Sequence, residues 1–317
     1  STGAMMNNVG KVKNTGVEIS LSTVNVQTKN FYWSTTFSFA KNKNEILELN
    51  GGKEDLIANK WFIGQPIDVI YDYEYAGVCT AEEAKAYATN DAIKTKFIEG
   101  EMKLKDQQQP GEEGYGVIDE NDLVVLGHAL PKWTGSVTSN MTYKNFDFSF
   151  SIYTKQGGMV ESPFMAEFTN YKDRGRNKLK MDYYIPAGTP VLNADGSGYT
   201  LTTEAHMGAY PYPTNTANNN YGGGIGWGTD KQTTYVGNSY VNNSFVKIKN
   251  ITLGYTFPKS WMSKIGVDHL RLYVNVLNPF TFTSYKGFDP EWAEAALNDG
   301  TGGPSSRTYQ VGVNLKF

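Results

Sequence analysis

The closing stretch RTYQVGVNLKF, residues 307–317, alternates without a break. Tyr309, Val311, Val313, Leu315 and Phe317 are apolar, and Thr308, Gln310, Gly312, Asn314 and Lys316 are polar or small. A period of two residues needs a β-strand with one face in an apolar medium and the other in water. The device recurs along the chain. In FYWSTTFSF, Phe31, Trp33, Phe37 and Phe39 share a face; in NFDFSFSIYTK, Phe146, Phe148, Phe150 and Ile152 oppose Asp147, Ser149, Ser151 and Tyr153. KWTGSVTSNMTY (Trp133, Val137, Met141, Tyr143) and HLRLYVNVLN (Leu270, Leu272, Val274, Val276) follow the same rule. GVEISLSTVNV slips phase after Leu21. In SFVKIKNITLGYTF, Ile251, Leu253, Tyr255 and Phe257 keep step, while Lys247 and Lys249 fall on the apolar face, which a β-bulge or a rise into a head-group region would accommodate.

The runs come in pairs. QTKNF (27–31) and TYKNF (142–146) are near-copies of one tight turn, so a hairpin repeats within the chain, and PKSWMSKIGVDH makes a third short connection. Long segments, roughly 44–131, 158–243 and 283–306, separate the hairpins. Short turns at one end and long loops at the other give the sheet a polarity.

Aromatic residues make up 14% of the 317, with 33 Gly, which favours strands and tight turns over helices. A net charge of −3 with scattered basic residues argues against nucleic acid as a partner. A single cysteine, Cys79, excludes an internal disulfide framework. No stretch has the ~18 apolar residues of a membrane helix.

A soluble sandwich and a membrane barrel both accept such strands. Runs of about 10 residues with aromatics near their ends, facing Ser, Thr, Asn and Gly, favour the barrel, and so does an aromatic residue closing the last strand.

The stretches NVGKVKNTGVEISLS, GQPIDVIYDYEYAGV, LGHALPKWTGSVTSNMTYKNFDFSF, NNSFVKIKNITLGYTFP, LRLYVNVLNPFTFTSYKGFDPEW and YQVGVNLKF, in that order, resemble the C-terminal part of the SusC/RagA family of TonB-linked outer-membrane transporters. The resemblance implies an all-β fold: residues 1–317 as the C-terminal strands of one large antiparallel transmembrane β-barrel, plugged and of about 22 strands when complete, with long extracellular loops. The plug and the remaining strands are expected outside this sequence, in the same polypeptide or another chain, because about seven strands leave an open edge that lipid does not tolerate. It further implies a bacterial outer-membrane location with a periplasmic C-terminus, a SusD-like surface lipoprotein as partner, and coupling to TonB through the plug. The expected activity is import of an oligosaccharide, with a peptide as the alternative and no cofactor. Asp147, Ser149, Ser151, Asn275 and Asn314 are expected to line the lumen, and Phe317 to serve as a barrel-assembly signal.

Ligand contacts are expected from the loops. Trp61, Tyr71, Tyr73 and Tyr75 in the first, and Tyr210, Tyr212, Tyr221 and Trp227 among Asn and Gly in the second, have the composition of a surface that stacks on sugar rings or peptide side chains. Their competing role is packing within the loops. TAEEAKAYATNDAIKTKFIEG reads as a helix opened by a Thr80–Glu83 capping box. Asp119, Glu120, Asn121 and Asp122 are oxygen donors of the kind calcium uses, but half of the family's D-x-N-x-D-G pattern is missing, which favours a plain turn. His128, His206 and His269 lack partners at metal-ligand spacing. The rival from another class is a soluble glycan-active enzyme using, for example, Asp289 and Glu291; no catalytic motif supports it.

Overall fold

The computed structural model describes residues 10–94, 97–165, 180–211, 240–293 and 304–317. In chain order its strands are β1 (Gly10–Gln27), β2 (Phe31–Leu49), β3 (Val69–Tyr73), β4 (Tyr75–Val78), β5 (Met102–Leu104), β6 (Leu123–His128), β7 (Trp133–Tyr143) and β8 (Phe146–Gln156). There follow β9 (Met159–Glu161), β10 (Pro190–Leu192), β11 (Tyr199–Leu201), β12 (Tyr240–Asn242), β13 (Phe245–Thr256), β14 (His269–Thr283) and β15 (Thr308–Lys316). One antiparallel sheet of seven strands, β1-β2-β7-β8-β13-β14-β15, forms a wall. The other strands make two-stranded ladders in the long loops, β3 with β6, β4 with β5, β9 with β12 and β10 with β11.

The register turns the alternation of the sequence into two continuous surfaces. Val26, Trp33, Met141, Phe148, Leu253, Val274 and Val311 are paired neighbour to neighbour, an apolar row across all seven strands. On the opposite face Ser34, Asn140, Ser149, Thr252, Asn275 and Gln310 form a polar row. The side chain of Thr252 donates to Asn275 at 2.9 Å and Asn275 to Gln310 at 2.9 Å, so polar groups on this face satisfy one another across strands. Among the described residues no layer covers the apolar face: Val311 is 80% exposed and Leu253 52%. One polar group on it is hidden, the Ser139 hydroxyl, which accepts from the Trp33 indole N–H at 2.8 Å.

Two of the wall's three register shifts bear on the alternation, and both are β-bulges. The phase slip after Leu21 is a register shift between Val24 and Val26, which returns Val26 to the apolar row; the unpaired Asn25 is held by Thr35, whose hydroxyl accepts from its amide at 2.7 Å. A second shift lies between Ile248 and Asn250. It is the bulge expected at Lys247 and Lys249: Lys247 pairs with Tyr153 on the polar side, Ile248 with Ile152 on the apolar side, and the bulged Lys249 lies over the Tyr153 ring at 5.6 Å.

Short turns close one end of the wall. The backbone N–H of Thr28 donates to Phe31 around Lys29–Asn30, and Tyr143 pairs with Phe146 around Lys144–Asn145. The two Lys–Asn turns are tied together, Lys144 N–H donating to Asn30 at 2.8 Å. At the other end strands run further than the alternation suggested. β2 continues to Leu49, since past Ala40 the first hairpin becomes a Lys- and Asn-rich ribbon whose Ile46 exchanges backbone hydrogen bonds with Gly64 and Gln65, and β14 continues to Thr283 by pairing with Phe245 of β13.

Candidate functional site

The loop after β2 builds a small core of its own. Cys79, Phe97, Met102 and Leu104 are buried, with Tyr73, Tyr75 and Tyr87 packed on them. Burial pushes the Cys79 thiol up to about 11, so it is an inert core group rather than a nucleophile. Helix α1 (Ala81–Thr89) opens with the expected Thr80–Glu83 capping box. It is shorter than its sequence suggested, because the Asn90 side chain accepts the N–H of Ala92 and turns the chain away. Asp122 is fully buried and accepts from the N–H groups of Gln107 (2.7 Å) and Asp119 (2.8 Å), while Asp119 accepts from Asn121 at 2.8 Å. The carboxylates at 119–122 thus cap a turn through backbone N–H groups.

The YDYEY segment reaches the second long loop through Tyr75 and Asp72. The Tyr75 hydroxyl donates to the Ala209 carbonyl at 2.9 Å, and the neighbouring Tyr210 ring meets Tyr183 edge-on at 6.0 Å. From β12, the Tyr240 hydroxyl donates to the Asp72 carboxylate. Burial, then Asp72 and Glu161, push the Tyr240 hydroxyl well above its usual range; burial, then Asp122 and Asp72, push Tyr73 up as well. Tyr73, Glu74, Tyr75, Val124, Val125, Leu126, Met159 and Tyr240 line a cleft of about 390 Å³ between the loops.

Of the residues singled out by sequence, Tyr73 and Tyr75 line this cleft, and Tyr210 stands near Tyr75 without lining it. Tyr71 instead packs on Phe62, ring centroids 4.7 Å apart, and the backbone of Trp61 pairs with Leu56 in a separate turn. Tyr212, Tyr221 and Trp227 lie outside the described residues. Tyr240 and Met159 were not anticipated, since contacts between residues so distant along the chain leave no local pattern. His206 pairs with Asp182 at 2.7 Å on the surface.

The loop after β14 is anchored by charge. Lys247, fully buried, donates to both Asp289 oxygens (2.7 and 3.0 Å) and to Glu291, and Lys249 donates to Glu291 at 2.5 Å. Burial alone would raise both carboxyls, but the lysine contacts outweigh it and hold them below their usual range. The two acids of the FDPEW segment are therefore matched by two lysines and set in a structural cluster, an arrangement unlike a glycosidase acid and base.

No protein-family model matches the chain. The chain is similar over 99% of its length to TonB-dependent receptor P3 of Formosa agariphila, at 29% identity, and to TonB-dependent receptor SusC of Bacteroides thetaiotaomicron, at 27%. It spans 30% and 27% of the lengths of these relatives. Its fold matches the structure of the RagAB peptide transporter with a TM-score of 0.66 and 22% identity, over 98% of this chain and 30% of that one. Along its whole length the chain is thus similar in sequence to these TonB-dependent receptors, and its seven-stranded wall matches in fold part of the RagAB structure.

Proposed function

We propose that the chain forms part of the barrel wall and outer loops of a TonB-dependent importer of a nutrient across the outer membrane. The observation that carries this is the pair of faces. The apolar rows suit lipid, the polar rows suit a hydrated or plugged lumen, and the 11 to 12 residues of β7, β8 and β13 match the ~9–11 of a tilted membrane strand. In this proposal strands from outside the sequence pair with the outer edges of β1 and β15, since backbone groups left unpaired in lipid cost several kcal/mol each. The long-loop end faces outward and the C-terminus the periplasm. A SusD-like surface lipoprotein closes over the loops, and TonB acts through a plug supplied by the rest of the protein. The oligosaccharide expected from sequence is a possible cargo, but two cleft tyrosines have their hydroxyls committed to Asp72 and Ala209 rather than offered to a sugar.

Capture from detergent-solubilised outer membranes through a tag on this sequence, followed by denaturing mass spectrometry, should recover a transporter-sized polypeptide with a lipid-modified partner. Uptake of its ligand in cells should stop when TonB is deleted. Recovery of a detergent-independent species, or uptake that persists without TonB, would overturn the proposal.

A further inference from the structure

The wall leaves a notch beside β2 at its long-loop end. Pairing of β2 with β7 stops at Ala40 and Thr134, and the next backbone bonds on that side join Ile46 to Gly64 and Gln65. Backbone groups of an antiparallel strand alternate between its two neighbours, so those of Asn42 and Asn44 point the same way as those of Ile46, into the notch. The notch encloses about 310 Å³, the small end of the range for ligand clefts. Lys41, Asn42, Lys43 and Asn44 form its β2 side, and His128 and Lys132 are among the residues that complete it.

Its charge is one-sided. Three lysines and a histidine line the notch, and among the described residues no carboxylate does. Lys43 reaches Glu45 at 3.0 Å, outside the lining. No ion pair among the described residues involves Lys41 or Lys132. Lysine ammonium groups beside strand N–H groups are donors that suit a phosphate.

The position on the wall selects the source of that phosphate. Phe37, Phe39, Lys41 and Lys43 are alternate residues of β2 and share one face, paired in turn with Leu21, Ile19, Val17 and Thr15 of β1. The apolar face therefore turns cationic directly beyond Phe39, whose ring lies 5.9 Å from that of Trp133. From Phe31 at the short-turn end of β2, about ten residues at ~3.4 Å each and a tilt of ~40° carry Lys41 ~26 Å along the membrane normal. The apolar band of such a wall is ~25 Å tall, so the lysines stand at the level of the lipid headgroups.

We propose that the notch binds the phosphate of a lipid headgroup in the outer leaflet, with Lys41, Lys43 and Lys132 as its cationic contacts and the acyl chains lying on Phe39 and Trp133 below. The inference rests on the reading of the sheet as a membrane wall.

The test is native mass spectrometry of the complete detergent-solubilised transporter with three probes: monophosphorylated lipid A, the same lipid A freed of phosphate, and glucosamine 1-phosphate. The phosphorylated lipid should bind, and the other two should bind about tenfold more weakly or less. Lys41→Ala with Lys132→Ala should weaken binding of the phosphorylated lipid by about 30-fold, at about fivefold per lysine beside an anionic surface. Lys11→Ala with Lys13→Ala removes equal charge from the same face of the β1–β2 ribbon outside the notch and should cost far less. Lys41→Arg with Lys132→Arg should keep the lipid bound. Equal binding of the dephosphorylated lipid, equal losses in the two alanine pairs, or tighter binding of glucosamine 1-phosphate than of the lipid would overturn the headgroup site. Such a result in a protein that still needs detergent and supports TonB-dependent uptake leaves the importer standing; a protein that needs neither removes the membrane wall itself, whatever it binds.

Discussion

Gly254 shows how one missing side chain organises the polar face. A Cβ at this position would lie 2.4 Å from an Asp147 oxygen and 2.5 Å from the Arg271 guanidinium, because Arg271 crosses directly over the glycine to reach Asp147 at 2.8 and 2.5 Å. Gly312 gives the same room to the Tyr273 ring, over which the guanidinium stacks at 4.9 Å. Gly254→Ala should displace the ion pair and lower barrel stability by about 1–3 kcal/mol, the usual cost of overpacking. Heat-modifiable gel mobility of the folded barrel would measure it, and an unchanged transition would show that Arg271 rearranges freely. The alternation in LGYT marked Gly254 only as a polar-face residue; its role depends on Asp147 and Arg271, placed beside it by strands far apart in sequence.

At the level of elements, the wall strands were legible because lipid and water impose a two-residue period along each whole strand, and even the bulge at Asn25 showed as a phase slip. Helix α1 was legible at its start, where the capping box is local, and not at its end, which a single Asn side chain decides. The loop core carries a pH response. Glu101 sits beside Cys79, whose N–H donates to its carbonyl at 2.8 Å, and burial raises its carboxyl from 4.5 to about 7. The folded loop then holds a proton that the unfolded loop has released, so this contribution is full below about pH 4.5 and is lost as pH rises through about 7. Hydrogen exchange at Met102 and Leu104, corrected for its intrinsic pH dependence, should therefore be faster relative to pH 6 at pH 8, and Glu101→Gln should abolish the difference. A pH-independent wild type would mean that Glu101 finds water or a partner in solution.

For the whole molecule, assembly into the membrane is the step the wall strands must survive. Phe317 follows β15 and is 83% exposed, the most accessible of the large apolar side chains on the wall. We propose that it is read by the assembly machinery rather than used in packing. Phe317→Ala should lower the amount of folded protein in the outer membrane while leaving synthesis unchanged; normal membrane levels would assign the side chain no such part. What the sequence alone determined was the sheet: its strands, its two faces, and its short and long ends. These follow from solvent acting on each residue through local periodicity, which any stretch of a strand displays. Only the tertiary structure decided what the loops do. It sent Tyr71 to Phe62 and Tyr73 to the cleft, joined Tyr240 to Asp72, and matched Lys247 with Asp289. Those outcomes depend on which distant segments meet, and no local period encodes that.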